Sequence, residues 1–209
     1  MNDTDARIVK IGVTGSAGSG KSLVCSRLRH RGVVTLDCDL IARQVVQPGT
    51  QGFEKIAAQF GPEVVSKDGS LDRAVLRTLI INEPELKKKL EDIVHPLVLR
   101  EMIFQMDNAE YGTMPVVAVE VPLLFESGMD AYFDVTLAVI SDRDELVNRI
   151  CGRDGVNACD AVKMLDIQMS QEKKTDLADH VIINTGTMPE LFESVDDFLD
   201  KIEKEFLTT

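Results

Sequence analysis

The stretch Ile8-Val9-Lys10-Ile11-Gly12-Val13-Thr14-Gly15-Ser16-Ala17-Gly18-Ser19-Gly20-Lys21-Ser22 decides the fold. Its first half, Ile8–Thr14, is a short apolar run rich in β-branched residues, which predicts a strand covered on both faces. Its second half, Gly15 to Ser22, is a full match to GxxxxGK[ST]. Leu23, Val24 and Leu28 follow as an amphipathic pattern, so a helix is predicted from about Lys21. Glycines let the backbone curl until successive N–H groups face one anion. The helix aims its positive end at the same place. Lys21 is spaced to reach the β- and γ-phosphates of a nucleotide, and the Ser22 hydroxyl to ligate Mg²⁺. Gly15, Ala17, Gly18, Ser19, Gly20, Lys21, Ser22 and the adjoining Leu23 are therefore the candidate nucleotide-binding residues.

Outward from this cradle, four more β-branched runs stand out: Val33–Leu36, Val116–Val119, Val135–Ile140 and Val181–Ile183, nearly continuously apolar and so likewise expected to be covered on both faces. Most are separated by segments of helical period, an alternation that predicts a five-stranded parallel sheet between helices. Leu191, Phe192, Val195, Phe198, Leu199, Ile202 and Phe206 make one apolar stripe along a last helix of about five turns. The stretch from Asp37 to Met114 breaks the rhythm, for it is far longer than a crossover requires and carries no strand pattern. Phe53, Ile56, Ala57 and Phe60 repeat at helical spacing there, as do Val75, Leu76, Leu79 and Ile80. Pro84 and Pro96 suit the first turns of two further helices. The expected organisation is one α/β domain with a three-layer core at 7–36, 115–148 and 178–209. A helical insertion fills 40–112 and a lid fills 149–175.

Composition narrows the partners. With 44% hydrophobic residues in 209, the chain is long enough for a self-sufficient core, and no apolar run approaches the ~20 residues that span a bilayer. The opening MNDTDARIVK does not read as a signal peptide. A cytoplasmic protein, with no membrane association, is expected. Thirty-five acidic against 23 basic residues give a net charge of −12, which repels nucleic acid at long range. Small-molecule chemistry is the expectation, in a monomer or small homo-oligomer. Cys25, Cys38, Cys151 and Cys159 form no CxxC pair and read as free thiols.

A cradle alone leaves two classes open, a kinase and a nucleotide-gated switch. No Asp in the chain has Gly three residues on, and Lys173-Lys174-Thr175-Asp176 lacks the Asn of a guanine reader, so the GTPase switch recedes. Asp37 and Asp39 follow the second strand, where ligands gather in a parallel sheet. One could accept a proton from an acceptor hydroxyl while the other holds water around Mg²⁺. A helix N-cap with an acidic first turn explains them equally. Glu120, at the end of the third strand, suits Mg²⁺ through water or an edge salt bridge. Arg149 and Arg153 share a helix face and could neutralise a transferring phosphoryl, or lie in solvent. His95 precedes Pro96 at a predicted helix start, where it could cap.

Several segments together resemble the dephospho-coenzyme A kinases from Ile11 to about Gly186. They are Gly12–Ser22, LDCDLIARQVVQPG at Leu36–Gly49, FG and DGSLDR within Phe60–Arg73, HP at His95, VPLLFE at Val121–Glu126, the Arg149/Arg153-Asp154 set, and ADHVIINTG at Ala178–Gly186. The resemblance implies ATP- and Mg²⁺-dependent transfer to the ribose 3′-hydroxyl of dephospho-CoA, with the insertion binding the acceptor. It implies Asp39, Lys21 and Arg149 as catalytic residues and Asp37 near the metal with Ser22 and Glu120. Asp37, Arg43, Arg73, His95 and Leu123 would fall on the acceptor side; Arg153 and Asn184 would fall on the nucleotide side. A nucleoside or nucleotide kinase of the same fold, or a nucleotide-binding regulator, is the alternative. The chain departs from the family pattern at Leu23 (commonly Thr), at Met164 four residues before Gln168 (often Arg) and at Ile183 before Asn184 (usually Asp).

Overall fold

The computed structural model describes residues 8–112 and 114–207. The reading of residues 1–7 as lacking a leader, and the outermost residues of the expected core, lie outside them. The chain divides into two compact units, one running to Asp37 and resuming at Met106, the other Cys38–Gln105.

In the first unit, five strands among the described residues form one parallel sheet: β1 (Val9–Gly15), β2 (Val34–Asp37), β3 (Val116–Glu120), β4 (Val135–Ile140) and β5 (His180–Ile183), in the order β2-β3-β1-β4-β5. Each predicted run is found within a residue or so of its expected bounds. The cradle strand is central, paired to β3 from Val9↔Val116 to Val13↔Glu120 and to β4 from Ile11↔Val135 to Gly15↔Val139. Burial follows position. β1, β3 and β4 are almost wholly buried, as continuous apolar runs require. The expectation of two covered faces fails for β2, which is half-buried throughout, and for β5, whose Val181 and Ile183 are exposed. Both are edges, so each has a neighbour on one side only.

Helix α1 (Lys21–His30) buries Val24, Cys25 and Leu28 against the sheet, in a core shared with Leu191, Val195, Phe198, Leu199 and Ile202 of α9 (Met188–Ile202). The predicted five-turn stripe is thus a 15-residue helix continued by one wider turn at Glu203–Leu207. Arg27 of α1 and Arg31, just past its end, both reach Asp196 of α9 and tie the two together. Among the described residues no disulfide joins the four cysteines, and burial first, then Glu120, pushes the Cys25 thiol up to about 12, so it stays protonated.

The second unit is helical: α2 (Cys38–Gln44), α3 (Gln51–Phe60), α4 (Arg73–Asn82) and α5, which begins at Pro84 and ends at Asp107. It has its own core, in which Ile56 and Phe60 meet Val46, Val64, Leu71 and Leu76. Thr50 caps α3 by accepting the Phe53 N–H, and Asp72 caps α4 by accepting those of Ala74 and Val75. One expectation is overturned. Pro96 opens no new helix; it lies inside the 24-residue α5, and His95 is an exposed mid-helix residue rather than a cap. A proline costs the helix one hydrogen bond, here to the Asp92 carbonyl, and flanking helix formers such as Leu, Lys, Glu and Met carry it across.

Back in the first unit, α6 (Arg143–Asp154), α7 (Ala158–Asp166) and α8 (Gln171–Leu177) connect β4 to β5. Gly152 stays helical, and the helix ends instead at Gly155, whose φ of 67° is the left-handed conformation suited to a C-cap.

Candidate functional site

The cradle is shaped by what its backbone touches. Lys21 is 7% exposed, and its Nζ donates to the carbonyls of Gly15 and Ser16, each at 3.0 Å. Arg149 Nη1 donates to the Gly18 carbonyl at 3.3 Å, and Asn184 Nδ2 to that of Ser19 at 2.8 Å. Four loop carbonyls are thus engaged by side-chain donors. Because a trans peptide sends its N–H opposite its C=O, fixing the Ser19 carbonyl on Asn184 turns the Gly20 N–H the other way. Two amides expected on phosphate are committed elsewhere: Ala17 N–H donates to Gln168 Oε1 at 3.0 Å, and Ser19 N–H to the Ser16 carbonyl at 3.1 Å. Ala17 and Ser19 therefore shape the loop rather than offer these N–H groups to a ligand in this conformation.

Two glycines are required sterically. A Cβ on Gly15 would sit 2.2 Å from the Val139 carbonyl and 2.6 Å from Ser19 Oγ, at φ +150°. A Cβ on Gly20 would sit 2.3 Å from Asn184 Nδ2, at φ +98°. Val139 belongs to the neighbouring strand and cannot step aside. Gly15→Ala is accordingly expected to cost about 3 kcal/mol, or roughly 6–12 °C in Tm, and to weaken nucleotide binding. Thermal unfolding with and without added ADP measures both, and a wild-type midpoint would show that the strand pair yields.

A hollow of about 430 Å³ opens over the loop. Gly18, Gly20, Lys21, Ser22, Leu23, Glu120, Arg149, Arg153 and Asn184 all line it, so nine of the sequence-predicted residues converge. Ser22 Oγ donates to Glu120 Oε1 at 3.1 Å, which brings together two of the three expected metal residues. The third, Asp37, is in register beside Glu120 at the carboxyl end of β2. Among the described residues no three His, Cys, Asp or Glu side chains gather to hold a metal by themselves. One hydroxyl and nearby carboxylates fit a hard cation that keeps several waters and takes its remaining oxygens from phosphate.

The arginines differ in what they do. Arg149 also donates to the Asn184 carbonyl at 3.3 Å and lies 3.6 Å from Glu145. Arg153 is more exposed, and the bond it makes to Asp154 holds that carboxyl below the ordinary value. Asn184, expected on the nucleotide side, is buried with its amide on the loop and its carbonyl accepting from Ser141 Oγ at 2.6 Å. Leu123 is exposed on the segment after β3. In the second unit, Asp39 lies exposed in the first turn of α2 and Arg43 in its last. Arg73 opens α4 behind its Asp72 cap and lines a hollow of about 380 Å³ with Val46, Pro48 and Ser70. Of the departures, Leu23 lines the main hollow, while Met164 and Ile183 are exposed.

Several polar residues received no role in the sequence reading. Lys174 of α8 is wholly buried against Glu126, Gln168 holds Ala17, and Gln171 pairs with both the N–H and the carbonyl of Ser141 at 2.9 and 2.7 Å. Burial raises the Glu126 carboxyl, but its bonds to Lys174 and the Met169 N–H outweigh this and hold it below the ordinary value. No periodicity marks such pairs, since their partners are tens of residues away.

A model of the dephospho-CoA kinase family matches residues 9–190. A dephospho-CoA kinase of Oceanobacillus iheyensis is 37% identical over 191 residues, covering 91% of this chain and 96% of the relative. Among solved structures, TT1252 of Thermus thermophilus superposes with a TM-score of 0.80 at 33% identity, over 93% of this chain and 98% of that one. Dephospho-CoA kinase of Campylobacter jejuni superposes with a TM-score of 0.71 at 27% identity, over 93% and 97%. With its cradle, parallel sheet and basic hollow, the chain belongs to the dephospho-CoA kinase family.

Proposed function

We infer that this chain is an ATP-dependent dephospho-CoA kinase, transferring the γ-phosphoryl of ATP to the ribose 3′-hydroxyl of dephospho-CoA, the last step of coenzyme A synthesis. The observation that carries it is the family match across residues 9–190, which takes in the cradle and the acidic segment beyond β2. In the step itself the 3′-oxygen bonds to the γ-phosphorus, and the bridging bond to the β-phosphate breaks to release ADP. The hydroxyl proton passes to a carboxylate, which we assign to Asp39. Lys21 and Arg149 neutralise the charge that builds on the transferring oxygens. Ser22 would hold Mg²⁺, with Glu120 and Asp37 acting through water. When bound, such an ion would supply positive charge against that of the phosphate oxygens.

Arg43, Arg73, His95 and Leu123 are assigned to the acceptor, and Arg153 to the nucleotide. The division into core, acceptor-binding insertion and lid, and a cytoplasmic location, belong to the same reading. Among the described residues no helix is long and apolar enough to cross a membrane.

A coupled ADP-release assay across an acceptor panel tests the reading. Turnover with dephospho-CoA, and none with nucleosides or nucleoside monophosphates, is the expected result. Equal turnover with a nucleoside would reassign the acceptor, and slow hydrolysis that no acceptor accelerates would remove the kinase activity.

A further inference from the structure

Lys174 has no exposed side-chain surface, and the chemistry above makes no use of it. Its Nζ lies 2.9 Å from Glu126 Oε1, 3.2 Å from Oε2 and 2.9 Å from the Pro122 carbonyl. An amine withdrawn from water this completely persists only where pairing and hydrogen bonds offset the lost hydration. From it two routes lead to the phosphate cradle. Along one, the Pro122 carbonyl also accepts from Thr14 Oγ1 at 3.3 Å, and Thr14 directly precedes Gly15. Along the other, Glu126 Oε1 accepts the Met169 N–H at 3.0 Å, and the preceding residue, Gln168, accepts the Ala17 N–H at 3.0 Å.

We propose that Lys174, Glu126 and Gln168 form a clamp that presets the phosphate cradle, with Gln168 as the positioning residue for Lys21. The peptide between Ser16 and Ala17 carries the effect. Its N–H points at Gln168, so its carbonyl points the opposite way, and that carbonyl accepts from Lys21 Nζ at 3.0 Å. Turning this one peptide would move the support on which the lysine rests. The Ala17 side chain adds a second hold, packed against the Leu146, Ile150, Ala161 and Leu165 cluster between α6 and α7. A glycine-rich loop fixed from behind before the nucleotide arrives loses less conformational freedom on binding. The inference rests on the nucleotide-binding reading of the loop, and not on the identity of the acceptor.

The test is calorimetric titration with ADP, without acceptor, alongside steady-state kinetics and thermal unfolding. Gln168 is half-buried in the bend two residues past α7, so Gln168→Ala should leave Tm within about 2 °C of wild type. The variant is expected to bind ADP about fivefold more weakly, with KM for dephospho-CoA unchanged. Lys174→Met, which keeps the buried aliphatic length, should weaken ADP binding in the same sense. The double variant should lose less than the product of the two single losses, because one of the two routes from Lys174 runs through the Gln168–Met169 junction. If Lys174→Met does not fold, Glu126→Gln takes its place in the cycle. Wild-type ADP affinity in Gln168→Ala, or losses that multiply in the double variant, would overturn the clamp. A wild-type protein that binds no ADP would overturn the kinase reading itself, a result distinct from either.

Discussion

Lys21→Ala is expected to lower kcat by about 10²–10³-fold, the loss typical when one preorganised charge-stabilising donor is removed from a reacting centre. The structure adds a second effect. Lys21 Nζ bonds to the carbonyls of Gly15 and Ser16, so its removal also unties the two ends of the loop it stabilises. KM for ATP should therefore rise together with the fall in kcat. The fold should persist, because the core of α1 is carried by Val24, Cys25 and Leu28 and not by the lysine stem. Steady-state kinetics at saturating dephospho-CoA, with thermal unfolding as control, separates these effects. Turnover near the wild-type rate would remove Lys21 from the mechanism. Arginine at this position should not restore activity, since a planar guanidinium cannot occupy a space built for a single ammonium between two carbonyls.

Asp39→Asn is expected to reduce kcat by about 10²–10⁴-fold, the span of a positioned general base, while leaving KM for ATP close to wild type. Asp39 stands two residues past the carboxyl end of β2, in the first turn of α2. A purely structural role there is a charge complementing the positive end of the helix. Its loss would cost about 0.3–1 kcal/mol of stability and no rate. The two roles therefore separate on one variant: asparagine keeps the shape, removes the proton acceptor, and shifts kcat only under the catalytic reading. Rapid-quench measurement of a single turnover places the effect on the transfer step. A wild-type rate with a slightly lowered Tm would make Asp39 a helix-end residue.

Much of this molecule can be read along the chain because its strongest signals are local. The cradle needs a strand, glycines at fixed offsets and a helix start within fifteen residues, and neighbours in sequence are enough to build it. Helical spacing in Phe53, Ile56 and Phe60 likewise marked the face that is buried. Errors came where a local rule met a longer-range outcome. Pro96 looked like a boundary, yet α5 runs through it. β2 and β5 were expected to be buried on both faces, but strand order makes them edges, which a run of apolar residues does not disclose.

The functional residues divide in the same way. Lys21, Ser22, Glu120, Arg149 and Arg153 were legible, and they converge on one hollow. Asn184 was expected on the nucleotide side; it lines the hollow, and its amide braces the Ser19 carbonyl across 165 residues of sequence. Glu126 and Gln168 stood in the sequence reading only as members of a family pattern and Lys174 only within a rejected guanine-reader match, with no role for any of them, although a buried ion pair and a bond to the Ala17 amide depend on them.

Sequence by itself determined the alternation of strand and helix, the phosphate-binding chemistry and the family, because each rests on residue types at short, fixed separations. Tertiary structure alone decided which strands lie at the edges, which loop amides remain directed to a ligand, and which distant side chains hold the loop in shape. A hydrogen bond or ion pair between distant segments exists only after the chain has folded, and its partners bear no fixed spacing from which it could be foreseen.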